Sequence, residues 1–215
     1  TGGSGELVAG ALLIKTGIIK GNIFEGNTAT SAPNTMRVTD ADAIVNYNAF
    51  VGTDAQTVGG SANYQANWWG TNNPTSVGVT LTNWLVLSYS IDGKKVSATI
   101  NTLNDGTPVE ESVSIAIRQA IITINEVSNI VNTKDGAATI VLDEELSIGD
   151  SYAATATIDS QTISFTVKPT IKEFSGNVVS NATVGVNGTI SVKLTGIEGT
   201  APTMTVSLWL NSTMY

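Results

Sequence analysis

Hydrophobic and polar positions change style along the chain, and each style predicts a different element. Over residues 1–87 the apolar runs are short, broken by Gly, Asn, Asp, Ser and Thr, and they recur. The segments "IIKGNIF" (18–24), "IVNYNAF" (44–50) and "NYQANWW" (63–69) superimpose. Each has asparagine fifth (Asn22, Asn48, Asn67) and an aromatic seventh (Phe24, Phe50, Trp69). The offsets of 26 and 19 residues are within or near one coil of a solenoid. A parallel β-helix accounts for this, because each coil returns the chain about 4.8 Å along the axis and like residues stack on like. Asparagines at one corner then hydrogen-bond in a ladder and accept the left-handed backbone a tight corner imposes. The aromatics two positions on stack inside.

From 88 to 168 the pattern becomes alternation. "YSIDGKKVSATINTLNDGTPVEESVSIAI" carries turn signals at Asp92-Gly93 and Asn104–Pro108, and "IITINEV", "AATIVLD", "YAATATID" and "QTISFTVKP" follow. About seven short strands in this span predict an immunoglobulin-like sandwich. In "LSIGDSYAATATI" the turn before Asp150 and the Tyr152 at a strand start resemble a tyrosine corner. Residues 169–215 read as three or four more strands, too few to bury two inner faces. They are expected to be truncated or completed by strands from another chain. The apolar stretch Leu7–Ile14 is either such a donor strand or, as we favour, the first coil.

Composition narrows the class. Only 13% of residues are charged and the net charge is −8, with 11 acidic against 5 basic residues in 88–168. Nucleic acid and anionic membranes both demand clustered Lys and Arg, so neither is an expected partner. There is no cysteine and no histidine, which removes disulfides, His-based acid–base chemistry and the usual zinc sites. No apolar run approaches the roughly 20 residues of a membrane-spanning helix, so no membrane insertion is expected.

"ANYQANWWGTNNP", followed by "VGVTLTNWLVL" (77–87), resembles the end of the β-helix region in adhesin-like surface proteins of methanogenic archaea. The resemblance covers residues ~18–168 and rests on Asn67-Trp68-Trp69-Gly70, Asn72, Asn73, Pro74 and Trp84. It implies a parallel β-helix followed by immunoglobulin-like modules, an extracellular cell-surface location and adhesion. Members of that family have many coils, whereas only about four fit before Trp84 here. The tryptophans have two readings. With Trp69 inward, in register with Phe24 and Phe50, Trp68 points the other way. It could there stack on a sugar ring, but a solenoid needs a cap over its last layer, and we favour Trp68, Trp69 and Trp84 as that cap.

Candidate chemistry is sparse. Asp40, Asp42 and Asp54, near Arg37, are the one carboxylate set that could serve a carbohydrate-active β-helix enzyme. A solvated face is the simpler account of them. "DEEL" (143–146) lacks the alternating spacing of a dedicated calcium loop. Asn181, Asn187 and Asn211 each open an Asn-X-Thr sequon and are glycosylation candidates.

The expected fold is therefore all-β. A short right-handed parallel β-helix with a Trp-rich cap occupies 1–87, an immunoglobulin-like sandwich 88–168, and part of a second sandwich 169–215. The expected function is non-enzymatic, with no cofactor. It is a stiff rod for adhesion or surface-layer structure whose partners are a cell surface or glycan, with copies of itself as the filament alternative.

Overall fold

The computed structural model describes residues 10–30, 33–52, 56–110, 113–142, 146 and 150–169, and four short strands between 175 and 214. Every element among the described residues is a β-strand, and none is a helix.

The first strands are β1 (Leu12–Ile14), β2 (Ile18–Lys20), β3 (Ile23–Glu25), β4 (Met36–Val38), β5 (Ile44–Asn46), β6 (Ala49–Val51) and β7 (Val58–Gly60). They lie in three parallel stacks, β1-β4-β7, β2-β5 and β3-β6. Ile18 pairs with Ile44 and Ile23 with Ala49, so the 26-residue offset of the sequence is the register of the stacks. Single parallel bridges, Ile44 to Asn63 and Ala49 to Trp68, continue them at the 19-residue offset. Each strand is only three residues long because Gly, Asn or a polar run follows it and turns the chain. Met36, Val38, Val45, Phe50 and Val58 point inward and are fully or almost fully buried. The passes approach closely. A Cβ on Gly60 (φ 93°) would lie 1.9 Å from the Val38 carbonyl oxygen, and one on Gly78 (φ 90°) 2.3 Å from that of Val58. Only glycine lets the chain through at those corners. Leu12–Ile14 is β1, paired with β4 in the register Leu12 to Met36.

The longer strands follow: β8 (Leu85–Asp92), β9 (Lys95–Leu103), β10 (Gln119–Ile124), β11 (Val127–Asn132), β12 (Ala137–Val141), β13 (Tyr152–Ile158) and β14 (Gln161–Val167). They form two antiparallel sheets, β12-β9-β8 and β11-β10-β13-β14, neither closed on itself. Alternation sorts the side chains. Val96, Ala98 and Ile100 of β9, Ala120, Ile122 and Ile124 of β10, and Ala154, Ala156 and Ile158 of β13 belong to one buried cluster. The opposite face of the four-stranded sheet carries hydroxyl pairs such as Thr123–Ser128 and Thr157–Thr162. Leu85 and Leu87 are buried in the same cluster, so β8 starts three residues before the boundary read at 88.

Two further antiparallel pairs complete the description, β15 (Ser175–Ser180) with β16 (Ile190–Thr195) and β17 (Trp209–Leu210) with β18 (Thr213–Met214). The sequon residues Asn181, Asn187 and Asn211 lie outside the described residues.

Candidate functional site

The repeated asparagines form a column. Asn22 donates through its backbone N (2.9 Å) and Nδ2 (3.2 Å) to Asn48 Oδ1. Asn48 does the same to Asn67 Oδ1, at 2.9 and 3.1 Å. The side-chain nitrogens also close the corner of their own layer or the one before. Asn48 Nδ2 donates to the carbonyls of Ile19 and Asn46, and Asn67 Nδ2 to those of Val45 and Tyr64. Asn48 and Asn67 are both fully buried. One detail differs from the sequence expectation. The left-handed residue is the one before each asparagine: Gly21 (φ 68°), Tyr47 (φ 59°) and Ala66 (φ 54°). A non-glycine residue pays about 1–2 kcal/mol for that conformation. The amides that follow offset the cost by holding both sides of the corner.

Two positions on, the aromatic rings stack. Phe24 and Phe50 have centroids 5.1 Å apart at 10°, and Phe50 and Trp69 4.6 Å apart at 18°. Trp84, half-buried, packs on the same cluster and donates its indole N–H to the Asn72 carbonyl.

Trp68 goes the other way, and it is fully buried rather than a platform on the surface. Its indole enters the apolar cluster of the antiparallel sheets together with Ala49 and Val51. Its Nε1 donates to Asp159 Oδ2 at 2.6 Å. Asp159 sits in the β13–β14 turn with φ 53°, and the Arg118 guanidinium holds its carboxylate in an ion pair. Arg118 also reaches Glu25 of β3, at 3.8 Å. Asp159, in a turn of the antiparallel sheets, thus binds Trp68 of the stacked region, while Arg118 touches both regions. Around this pair Asn72 exchanges two hydrogen bonds with Leu87 (2.6 and 2.9 Å), Gln161 Oε1 accepts from the Asn72 N–H, and Ser160 donates to the Gly70 carbonyl. The "WWGTN" segment is therefore a mortice between the two regions. Sequence reasoning named Trp68 and missed Asp159 and Arg118, which lie 91 and 50 positions further on and carry no local motif.

A buried tyrosine adds a second polar lock. Tyr64 donates to the Gly59 carbonyl at 2.6 Å and accepts from the Val38 N–H at 3.2 Å. Burial pushes its hydroxyl up to about 12, against the backbone N–H and the nearby Arg37 charge, which lower it.

The other expected residues are placed apart from this joint. Asp40 Oδ1 accepts the Asp42 N–H at 3.0 Å in a local turn, and Asp54 lies outside the described residues. Among the described residues no three acidic side chains gather where a metal could sit. Tyr152 opens β13, pairs with Val167 and is half-buried against the antiparallel core, while Asp150 is exposed. Compared with known proteins, the chain matches no family model, no curated sequence and no solved structure.

Proposed function

We propose that the chain is a non-enzymatic stretch of a cell-surface protein, in which the end of a right-handed parallel β-helix is docked on an immunoglobulin-like sandwich to make a stiff rod. The rod carries adhesion or surface-layer structure outside the cell. The observation that supports this most is the joint. Burying a tryptophan of one region completely in the core of the other, with its N–H on the Arg118-held Asp159, leaves little freedom for a hinge. Domains linked by ordinary polar interfaces move relative to one another, and a spacer cannot. Stacked asparagines and aromatics stiffen the first region in the same sense. Of the carboxylates named for enzymatic work, Asp40 is bonded within its own turn.

The absence of cysteine makes the test clean. Spin labels on cysteines introduced at the exposed Thr16 and Thr162 should give one narrow distance distribution, which Trp68→Ala broadens. A broad distribution in the parent chain would sink the rod. Shortening of a polysaccharide by the protein, abolished in Asp42→Ala, would overturn its non-enzymatic character instead. Concentration-dependent fibres would favour the filament subunit built by strand donation.

A further inference from the structure

We propose that the outer edge of β11 pairs antiparallel with the same edge of a second copy of the chain, about a two-fold axis at Ile130. Among the described residues β11 hydrogen-bonds to β10 alone, which leaves its other edge unpaired among them. Edge strands ordinarily discourage partners with lysine, proline, a bulge or brevity. β11, Val-Ser-Asn-Ile-Val-Asn, has six residues in unbroken register and none of those devices. β8, by contrast, is bulged between Val86 and Ser88. Val127 and Ile130 are 58% and 65% exposed, and Ile121, opposite Ile130 on β10, is 39% exposed. An edge that is both unpaired and apolar is where another strand adds.

The hairpin fixes which groups that edge offers. Asn125 and Glu126 both have positive φ, 48° and 69°, as a two-residue type I′ turn requires. Its closing bond joins Ile124 to Val127, so the backbone groups of Val127, Asn129 and Val131 face β10. The Thr133 N–H keeps that parity by donating to the Arg118 carbonyl at 2.7 Å. Ser128, Ile130 and Asn132 therefore turn their N–H and C=O groups outward. With Ile130 on the axis, Ile130 meets Ile130 and Ser128 meets Asn132 of the other copy, and each pair exchanges both bonds. Ile121 and Ile130 of both copies then form one apolar row on the joined sheet. The ends of the strand select the same register. Glu126 lies two positions before Ser128 and Lys134 two after Asn132, so each Glu126 comes opposite Lys134 of the other copy. Both are exposed, and neither is in an ion pair among the described residues. The net charge of −8 opposes most ways of bringing two copies together, and an uncharged strand with complementary ends escapes that repulsion. The contact is isologous and only one strand wide, so the dimer is weak and reversible.

The pairing does not depend on the rod, since it needs only the antiparallel sheets. It is tested by sedimentation equilibrium of the full chain from micromolar to millimolar concentration at low salt. A monomer–dimer equilibrium is expected, and added salt should weaken it. Ile130→Lys, at an exposed position, sets two ammonium groups against each other at the axis and should leave a monomer with an unchanged far-ultraviolet spectrum. Glu126→Lys should weaken the dimer about ten-fold, because two attractive pairs become repulsive, even though it reduces the net negative charge. Adding Lys134→Glu to that variant should restore the parent affinity. Ser164→Lys, on the opposite edge strand β14, should change nothing. A chain that stays monomeric throughout, a dimer that survives Ile130→Lys, or a Glu126→Lys loss that Lys134→Glu leaves unrepaired would each overturn the proposal.

Discussion

The stacked region and the antiparallel region draw on the same Asn- and Thr-rich alphabet and use it in opposite ways. In the stacked region the polar residues go inside: Thr35, Asn48, Gln56 and Asn67 are all at most 4% exposed. In the antiparallel sheets the interior is almost wholly apolar, and the hydroxyls pair on the outer face. The reason lies in the backbone. A long antiparallel strand spends its N–H and C=O groups on its neighbours, so its side chains need only fill space. A three-residue strand ends in a corner, and corner groups buried under the next layer must find side-chain partners. Asn48 and Asn67 are those partners.

That contrast can be broken at its seam or sharpened on either side. The largest effect is expected at the seam. Trp68→Ala empties a site shared by both regions and should cost about 3–5 kcal/mol. Calorimetry should show one unfolding transition splitting in two. A single transition shifted as a whole would mean that the regions are coupled by other contacts. Next comes Asn67→Ala. It strips an acceptor from the Asn48 backbone and side chain and a donor from the Val45, Tyr64 and Gln65 carbonyls, and should cost about 3 kcal/mol in denaturant titrations, since each orphaned buried group carries about 1–3 kcal/mol. A loss no larger than that of a surface substitution would refute the structural role of the column.

A smaller effect is expected in alkali. The Tyr64 hydroxyl titrates near 12 folded and near 10 unfolded. Its contribution is therefore fully present below pH 10 and is lost as pH rises through 12, by an amount of order 2 kcal/mol. Tyr64→Phe should flatten the decline of stability over that window, though it lowers stability at neutral pH by orphaning the Val38 N–H. The smallest effect belongs to the outer face of the antiparallel sheet. Thr157→Val should change stability by no more than about 0.5 kcal/mol, because its hydroxyl partner Thr162 remains open to water.

How much of this could be read from the sequence follows from which interactions are local in pattern. The register of the stacks was legible because the repeat prints it: Asn22, Asn48 and Asn67 recur at the offsets by which their strands pair. The inward column of Phe24, Phe50 and Trp69 came from the same spacing. Alternation also told that Trp68 faces away from that column, but alternation names a direction and not a neighbour. Its destination depends on Asp159, 91 residues later, and no periodic signal joins the two. Asp40 and Asp42 share a face on paper, yet the nearer demand of a turn N–H claims Asp40 first. The left-handed corners were expected on asparagine because asparagine tolerates them. They fell on Tyr47 and Ala66 because the asparagine's job is to bond across layers from an ordinary conformation.

The asparagine column also has a direction. Between the asparagines themselves the earlier layer donates and the later layer accepts, although Asn48 and Asn67 also donate back to the Ile19 and Val45 carbonyls, so Asn22 presents its side-chain acceptor at one end. Such a column is a vector, and a vector constrains symmetry. Two copies meeting by a two-fold axis at the Asn22 end would set acceptor against acceptor, and the column would stop there. Asn67 is fully buried and Asn22 is exposed, so the column is open at the Asn22 end alone, and whatever extends it there must bring N–H donors rather than a second copy of the same face.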